Sequence, residues 1–414
     1  MSTFSTSSAA TAGHFPRVLP RINAVPLVAA LALLALGAWY LGETVGGKQA
    51  ALYLVGAALG ATLYHSAFGF TSSWRVFIAD GRGAGLRAQM LMLAVACTLF
   101  FPALAGGSLF GTPVHGFVSP IGVSVVVGAF LFGVGMQLGG GCASGTLYTV
   151  GGGSTRMIVT LGGFVLGSLL GSAHLPWWAA QPHIAPVSLV KVLGGIPALA
   201  LNLAVFAAIA GVTVWVERKR HGKLVRNETA EVASWPRWLH GPWPLVAGAV
   251  LLAGLNFATL ALAGRPWGVT SAFALWGAKI AGGLGVDVMA WPYWQAAGNK
   301  AALAAPIGAD ITSVMDIGVI IGALATAALA GKFAPVWKLP LKSLVAAVVG
   351  GILLGYGARL AFGCNIGAYF SGIASGSLHG WLWLVAAFAG NVVGTPLRPM
   401  FDLPVERIPR ETGC

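Results

Sequence analysis

Charged side chains are scarce in this chain. Of its 414 residues, 8% are Asp, Glu, Lys or Arg, whereas 57% are hydrophobic. Soluble domains carry roughly 25% charged residues, so this sequence lacks the polar side chains that a water-facing surface needs. The shortage excludes a soluble enzyme.

Acidic residues and cysteines are also few. The 11 acidic residues stand against 24 Lys and Arg, which gives a formal net charge of +13. In a soluble protein that excess would suggest nucleic-acid binding, but here the basic residues occupy short hydrophilic gaps between apolar runs. We therefore predict contact with membrane lipid and none with nucleic acid. The four Cys, in a chain without an extracellular domain to staple, do not indicate a disulfide framework.

Nucleotide-binding segments are absent as well. The sequence contains no phosphate-binding loop of the G-x-x-x-x-G-K-[ST] type and no polar segment long enough for an ATPase domain. We predict no enzyme activity, no cofactor and no bound metal.

Long apolar runs, by contrast, are abundant. They extend for about 18 to 22 residues, the length that crosses hydrocarbon as a helix, and they do not alternate as barrel strands do. The 60 Gly are typical of closely packed membrane helices. The pattern predicts an all-α polytopic membrane protein with nine or ten transmembrane helices and short re-entrant helices. The predicted spans are 24–42, 50–68, 88–107, 118–138, 156–176, 190–216, 243–263, 311–331, 342–362 and 379–397.

The distribution of Lys and Arg predicts the orientation. The longest polar stretch, 217–240, is basic, and the positive-inside rule places it in the cytoplasm. Counting spans outward from it places both termini in the cytoplasm. The gaps near 43–49, 108–117 and 172–189, which contain almost no Lys or Arg, then lie outside.

One glycine-rich segment occurs twice. Residues 133–145 read GVGMQLGGGCASG and residues 355–367 read GYGARLAFGCNIG, so four glycines and one cysteine recur at a constant offset. A weaker match pairs 69–72 (GFTS) with 268–271 (GVTS). In the predicted topology the span before Cys142 runs inward and the span before Cys364 runs outward. The repeat is therefore predicted to be inverted, which is typical of transporters whose substrate site lies between the repeats.

The repeat also predicts the organisation of the chain. We expect a disordered cytoplasmic tail (1–22), a first membrane repeat (23–216), a basic cytoplasmic linker (217–242), a second membrane repeat (243–397) and a cytoplasmic tail (398–414). Two short glycine-rich segments would enter from opposite faces and bring Cys142 and Cys364 toward one axis.

The repeated segments have the chemistry of an anion path. Non-helical turns supply free backbone N–H groups, and glycines let that backbone approach a ligand. A thiol adds a weak donor and a polarizable sulfur, which suits a soft, sulfur-bearing solute. The predicted substrate-binding residues are Cys142, Cys364, Gly141, Gly145, Gly363, Gly367, Arg359, Gln137, Thr71, Thr270 and Lys279.

Several of these residues have simpler explanations. Arg359 lies near the end of its span and would also reach the interface by snorkelling. Lys279 would equally form a structural pair with Asp287 or Asp316, and Asp316 would serve in such a pair or in proton coupling. A Cys142–Cys364 disulfide is a further alternative.

The paired G-C-A-S-G and G-C-N-I-G segments, with Arg265-Pro266-Trp267-Gly268-Val269-Thr270 between them, resemble the YeeE/YedE sulphur-transport family of bacterial inner-membrane proteins. The resemblance implies an hourglass-shaped inverted repeat that imports thiosulfate or a related sulfur compound past a row of cysteines. Family members associated with thiosulfate uptake carry a further Cys in the first G-x-T-S-like segment, where this chain has none.

The leading hypothesis is thus an inner-membrane importer of a small sulfur-containing anion, with thiosulfate as the first candidate. The alternatives are a membrane-bound sulfur-transfer protein that forms a persulfide, and a permease for a selenium compound or sulfite. A cytoplasmic sulfur-carrier protein is a candidate partner.

Overall fold

The chain is almost entirely helical in the computed structural model, which describes residues 22–225 and 235–407 and confirms the predicted all-α class. The α-helices are Ala24–Thr44 (α1), Gly47–Ser66 (α2), Phe70–Asp80 (α3), Ala84–Gly106 (α4), Val123–Gly139 (α5), Ala143–Gly151 (α6), Thr155–Ala179 (α7), Leu189–Leu193 (α8), Gly195–His221 (α9), Trp235–His240 (α10), Leu245–Ala263 (α11), Thr270–Gly283 (α12), Pro292–Gln295 (α13), Ala297–Ala304 (α14), Ile311–Leu329 (α15), Leu341–Leu360 (α16), Ser371–Ala374 (α17) and Leu378–Leu397 (α18). Nearly all of the predicted tail 1–22, part of the linker and the end of the C-terminal tail lie outside the described residues.

The remaining regular structure is short. A π-helical turn covers Asn365–Phe370, and 3₁₀ turns cover Val288–Ala290, Ile307–Ala309 and Arg398–Phe401. Two antiparallel ribbons pair Ser108–Leu109 (β1) with Thr112–Pro113 (β2), and Ile121–Gly122 (β3) with His183–Ile184 (β4). These strands lie in connections between the long helices.

Within the described ranges, ten helical segments are long and apolar enough to cross a membrane, which confirms the predicted number of spans. Three of these segments are broken internally: 47–80, 123–151 and 341–374. Each consists of a long helix followed by a short one. The breaks lie at the glycine-rich segments singled out in the sequence, and the re-entrant character of the short helices stays a prediction.

Glycines hold the long helices at close range. A Cβ added to Gly56 of α2 would clash with the Met315 carbonyl oxygen of α15, and one added to Gly133 of α5 would clash with that of Ala387 in α18. The same closeness occurs between α7 and α16, where Gly355 faces the carbonyl oxygen of Phe164. Because lipid tails are as apolar as the side chains, such backbone contact is a main source of helix association in membranes.

The helix contacts of the two halves correspond to one another. The pairs α2–α15, α5–α18 and α6–α15 have counterparts in α4–α11, α7–α16 and α4–α17. The pairs α3–α18 and α7–α12 match in the same way. An internal two-fold repeat would produce this pattern, and the repeat, its inversion and its predicted boundaries stay predictions. Helix α9 packs on α4 as α1 packs on α15, so we expect α9 to open the second repeat rather than to close the first.

Candidate functional site

Cys142 begins the short helix α6. Helix α5 ends at Gly139 and is capped by Gly140, whose φ of 91° is the left-handed conformation that favours glycine. Cys142 then takes the N-cap position, and its sulfur accepts a hydrogen bond from the backbone N–H of Gly145 at 3.4 Å. The thiol is buried and lies 3.5 Å from the Ser144 hydroxyl. The cysteine therefore serves as a helix cap, and its sulfur lies next to the first backbone N–H groups of α6.

Cys364 occupies the corresponding position in the second half. After α16 the chain turns through Phe362 and Gly363, which both have positive φ, and Cys364 opens the π-helical turn. Its sulfur accepts from the backbone N–H of Ile366 at 3.4 Å. The Cys364 side chain is buried too. The two sulfurs thus share one local geometry.

The two cysteine-bearing segments meet. Helix α6 contacts the π-helical turn, and the thiols of Cys142 and Cys364 are close enough to interact electrostatically. Both cysteines are free, so the disulfide alternative is not realised. Cys97, which is also free and buried, directs its sulfur to the Ile373 carbonyl oxygen at 3.6 Å and lies in the middle of α4. It occupies no turn of the kind that holds the other two.

A cavity of about 310 Å³ borders the Cys364 turn, where Gly363 and Gly367 line it. Its lining also includes Arg265 and Arg359, together with the start of α12. Arg359 donates to the Tyr293 hydroxyl at 2.7 Å, while its buried Nε has no hydrogen-bond partner among the described residues. Arg265 donates to the Thr312 hydroxyl at 3.1 Å. We call this space the arginine cavity; its lining residues are Gly116, Phe117, Val118, Ser119, Arg265, Gly268, Val269, Thr270, Ser271, Arg359, Phe362, Gly363 and Gly367.

The arginine cavity brings together several of the residues predicted from the sequence. Arg359, Thr270, Gly363 and Gly367 all line it. Arg265 belongs to a segment that carries the family resemblance, but it was not predicted as a binding residue. It follows a helix end and precedes a proline, and an arginine in a chain this poor in charge was the signal that would have identified it.

The four glycines of the predicted site differ in role. A Cβ added to Gly367 would meet nothing within 4 Å, so this residue faces open space. A Cβ on Gly363 would lie 2.7 Å from the backbone nitrogen of Ala368, and one on Gly141 would lie 2.9 Å from the Met157 methyl group. At Gly145 the nearest atom is the Cys142 sulfur, at 3.4 Å. A ligand has room to approach the backbone at Gly367. At Gly141 and Gly363, in contrast, the packing of the turns leaves little room for a Cβ atom.

Gln137 and Thr71 meet on the other side of the cysteines. The Gln137 amide donates to the Asn391 side chain and, at 3.4 Å, to the carbonyl oxygen of Thr71. The Thr71 hydroxyl is buried and has no partner among the described residues. Gln137 therefore connects α5, α3 and α18 directly before the Cys142 turn.

Two arginines that the sequence did not single out surround the end of α5. Arg156 donates to the carbonyl oxygens of Gly139 and Leu138, both at 2.7 Å. Arg398 donates to the carbonyl oxygen of Gln137 at 2.5 Å. These guanidinium groups satisfy the last carbonyls of a helix, so their charge is used structurally.

Lys279 is not part of this arrangement. Its ammonium donates to the carbonyl oxygens of Leu303 at 2.8 Å and Ala305 at 2.7 Å, and it does not line the arginine cavity. The proposed ion pairs with Asp287 and Asp316 are not among the ion pairs of the described residues. Its contacts connect α12 to the C-terminal end of α14.

A second cavity, of about 230 Å³, lies against the start of α3 and α4. Ser66, Ser72, Ser73 and Arg82 contribute its polar lining. Arg82 is paired with Asp80 at 2.6 Å. This hydroxyl cavity, as we name it, therefore has no guanidinium comparable to the two of the arginine cavity.

Comparison with known proteins adds independent information. A family model described as Sulphur transport matches residues 65–393. Probable transporter YedE of Escherichia coli is 31% identical over 182 residues, which are 42% of this chain and 44% of that protein. Thiosulfate transporter TsuA of Spirochaeta thermophila is 27% identical over 348 residues, which are 82% of this chain and 95% of that protein. The match with YedE thus spans less than half of either protein, whereas the match with TsuA spans most of both.

Proposed function

This chain belongs to the sulphur transport family, and we propose that it imports a small sulfur-containing anion, with thiosulfate as the first candidate, across the bacterial inner membrane. It is a multi-pass membrane protein whose family and relatives are transporters rather than enzymes. The observation that carries the proposal is the arginine cavity, which holds two guanidinium groups and ends at the Cys364 turn.

The first step is attraction of the anion. Arg265 and Arg359 provide positive charge at the mouth of a largely apolar protein, and low-dielectric walls strengthen their field. Gly367 leaves open space beside the π-helical turn, where an anion approaches backbone closely. In the predicted topology the cavity lies on the outer side of the membrane, which agrees with uptake.

The second step is passage along the thiols. Each sulfur lies beside the first N–H groups of a short helix, so a solute there meets S–H and N–H donors without a fixed counter-charge. Such weak binding at successive sites permits entry and release. Contact between α6 and the π-helical turn supports Cys364 and Cys142 as consecutive binding sites of one path.

Transport explains the thiols better than sulfur transfer does. Persulfide chemistry requires a partly exposed thiolate in electropositive surroundings. Both thiols are buried, and their observed hydrogen-bond partners are a hydroxyl and backbone N–H groups. A cytoplasmic sulfur carrier would then receive the solute only after release, and its involvement stays part of the proposal.

Labelled thiosulfate uptake into proteoliposomes tests the proposal. We expect Cys142→Ala and Cys364→Ala each to lower uptake by about tenfold or more, because each removes a donor that the path needs. Cys97→Ala is the matched control, since it deletes an equally buried thiol away from the turns. Wild-type uptake in both test variants would contradict the thiol path, and a persulfide detected by mass spectrometry without solute accumulation would favour sulfur transfer.

Competition with sulfite, sulfate and selenite defines the substrate.

A further inference from the structure

Asp316 lies on helix α15 between the arginine cavity and helix α6. One turn before it, the Thr312 hydroxyl contacts Arg265 at 3.1 Å and the Ser271 hydroxyl at 3.0 Å, and both of these residues line the cavity. One turn after it, the carbonyl oxygen of Ile320 faces Gly151 at the end of α6. Residues four apart share one face of a helix, so Asp316 lies on the face that extends from the cavity inward.

The Asp316 carboxyl is isolated in the protein interior. Its exposed fraction is 0%, and neither oxygen has a hydrogen-bond partner among the described residues. The carboxyl therefore lies in the interior one helix turn from the Thr312 hydroxyl, which contacts Arg265 and Ser271 of the cavity lining.

An ionised carboxylate does not fit these surroundings. A buried charge persists only when a cation or several hydrogen-bond donors compensate for its lost hydration, and otherwise the group becomes neutral. A carboxylate at this position would also repel an anion passing Cys364. A protonated carboxyl, in contrast, presents an O–H donor to that anion.

The titratable groups of the neighbouring elements do not supply a cation to Asp316. Lys279 on α12 is bound to two carbonyl oxygens, and Arg265 donates to the Thr312 hydroxyl. The other titratable groups on α15 and on the elements packed against it are Asp310, Tyr40, Glu43, Lys48, Tyr53, Tyr64, His65, Tyr148, Arg237, His240 and Cys142, which caps α6. The ion pairs of the described residues do not include Asp316.

We propose that Asp316 is a binding residue of the path that works in its protonated form, donating its O–H to the anion as the anion moves from the arginine cavity to Cys364. Loss of the proton places a negative charge beside the path and closes it to anions. The proposal rests on the proposed transport of an anion and adds that this transport depends on one carboxyl proton.

Infrared spectroscopy and uptake together test this inference. In purified wild-type protein, we expect a carbonyl stretch of a protonated carboxyl that is missing from Asp316→Asn and retained in Asp287→Asn, which changes an exposed acid elsewhere. Absence of that difference band at neutral and acidic pH would overturn the proposal, whatever the protein transports.

The uptake measurement uses labelled thiosulfate over a range of pH. Wild-type uptake should fall as the pH rises, whereas Asp316→Asn, which keeps a neutral donor of the same shape, should show uptake that is independent of pH. Asp316→Leu removes the donor and should lower uptake by about tenfold at every pH. A wild-type pH profile in Asp316→Asn would refute the role of the carboxyl, while a wild type that accumulates no thiosulfate, sulfite or selenite would refute the proposed function instead.

Discussion

The Cys364 turn and the Cys142 turn have the same local geometry in different electrostatic surroundings. At the Cys364 turn, Arg265 and Arg359 line a cavity. At the Cys142 turn, Arg156 and Arg398 are bound to the last carbonyls of α5. Each turn thus has two arginines, which line a cavity in one half and cap backbone carbonyls in the other.

This difference suggests how similar repeats support inward transport. In the proposed path, an anion is concentrated near Arg265 and Arg359, which are outside the ion pairs of the described residues, because a charged cleft raises the local concentration of its counter-ion. A solute that reaches the hydroxyl cavity meets Arg82 already paired with Asp80, so it is held less strongly. Attraction at the entrance and weak binding at the exit are both required for a path that conducts.

The largest expected effect follows from removing the charge of the entrance. Arg359→Ala should lower uptake at sub-saturating thiosulfate by about tenfold or more, mainly through a higher KM, because a charge-assisted hydrogen bond to the anion is lost. Arg359→Lys should retain most of the attraction.

Two controls separate charge from structure at Arg359. Tyr293→Phe removes the hydroxyl that Arg359 contacts without changing charge, and Lys342→Gln removes an exposed charge that is paired with Asp402. Both should transport nearly as the wild type does. An equal loss in Arg359→Ala and Lys342→Gln would mean that net charge, not the cavity, attracts the solute.

The second prediction compares the glycines that precede the two cysteines. Gly363→Ala should destabilise the protein by about 1–3 kcal/mol, because Gly363 has a φ of 149° and the new Cβ would lie 2.7 Å from backbone. Gly141→Ala should cost less, since its nearest contact is the flexible end of Met157. Thermal unfolding in detergent measures both, and similar losses would show that the two turns tolerate substitution equally.

The spans and the cysteine turns were predictable because each has a local signal. A run of apolar residues of bilayer length has few alternative structures, and the coincidence of Gly and Cys in both halves of the chain identifies the two turns. Thr270, Gly363 and Gly367, which line the arginine cavity, lie in segments that the same alignment singled out. The spans and the cysteine turns are determined by residues that are close to one another in the sequence.

The roles of individual polar residues were not predictable in the same way. Lys279 and Arg359 both occur in apolar runs, yet one binds carbonyls from a distant segment and the other lines a cavity. Arg265 and Asp316 acquire their surroundings only when α12 and α15 pack together. Which partner satisfies a buried charge is decided by tertiary contacts, and a single sequence does not contain them.

The smallest expected effect concerns Glu406, beyond the end of α18. Arg75 of α3 donates to its carboxylate at 2.6 Å. Burial opposes ionisation of Glu406, but the hydrogen bonds and charge of Arg75 outweigh it, so the pKa of Glu406 is held below its ordinary value of 4.5. A lowered pKa in the folded state contributes stability above pH 4.5 that is lost as the pH falls through the folded pKa.

Because the Glu406 side chain is 43% exposed, solvent screens the pair and its contribution should be about 1 kcal/mol or less. Glu406→Gln should therefore melt slightly below the wild type at neutral pH and together with it well below pH 4.5. Asp402→Asn breaks the exposed pair with Lys342 and serves as the control, with no resolvable change expected. A melting difference that persists in acid would mean that Glu406 stabilises α3 through contacts other than its charge.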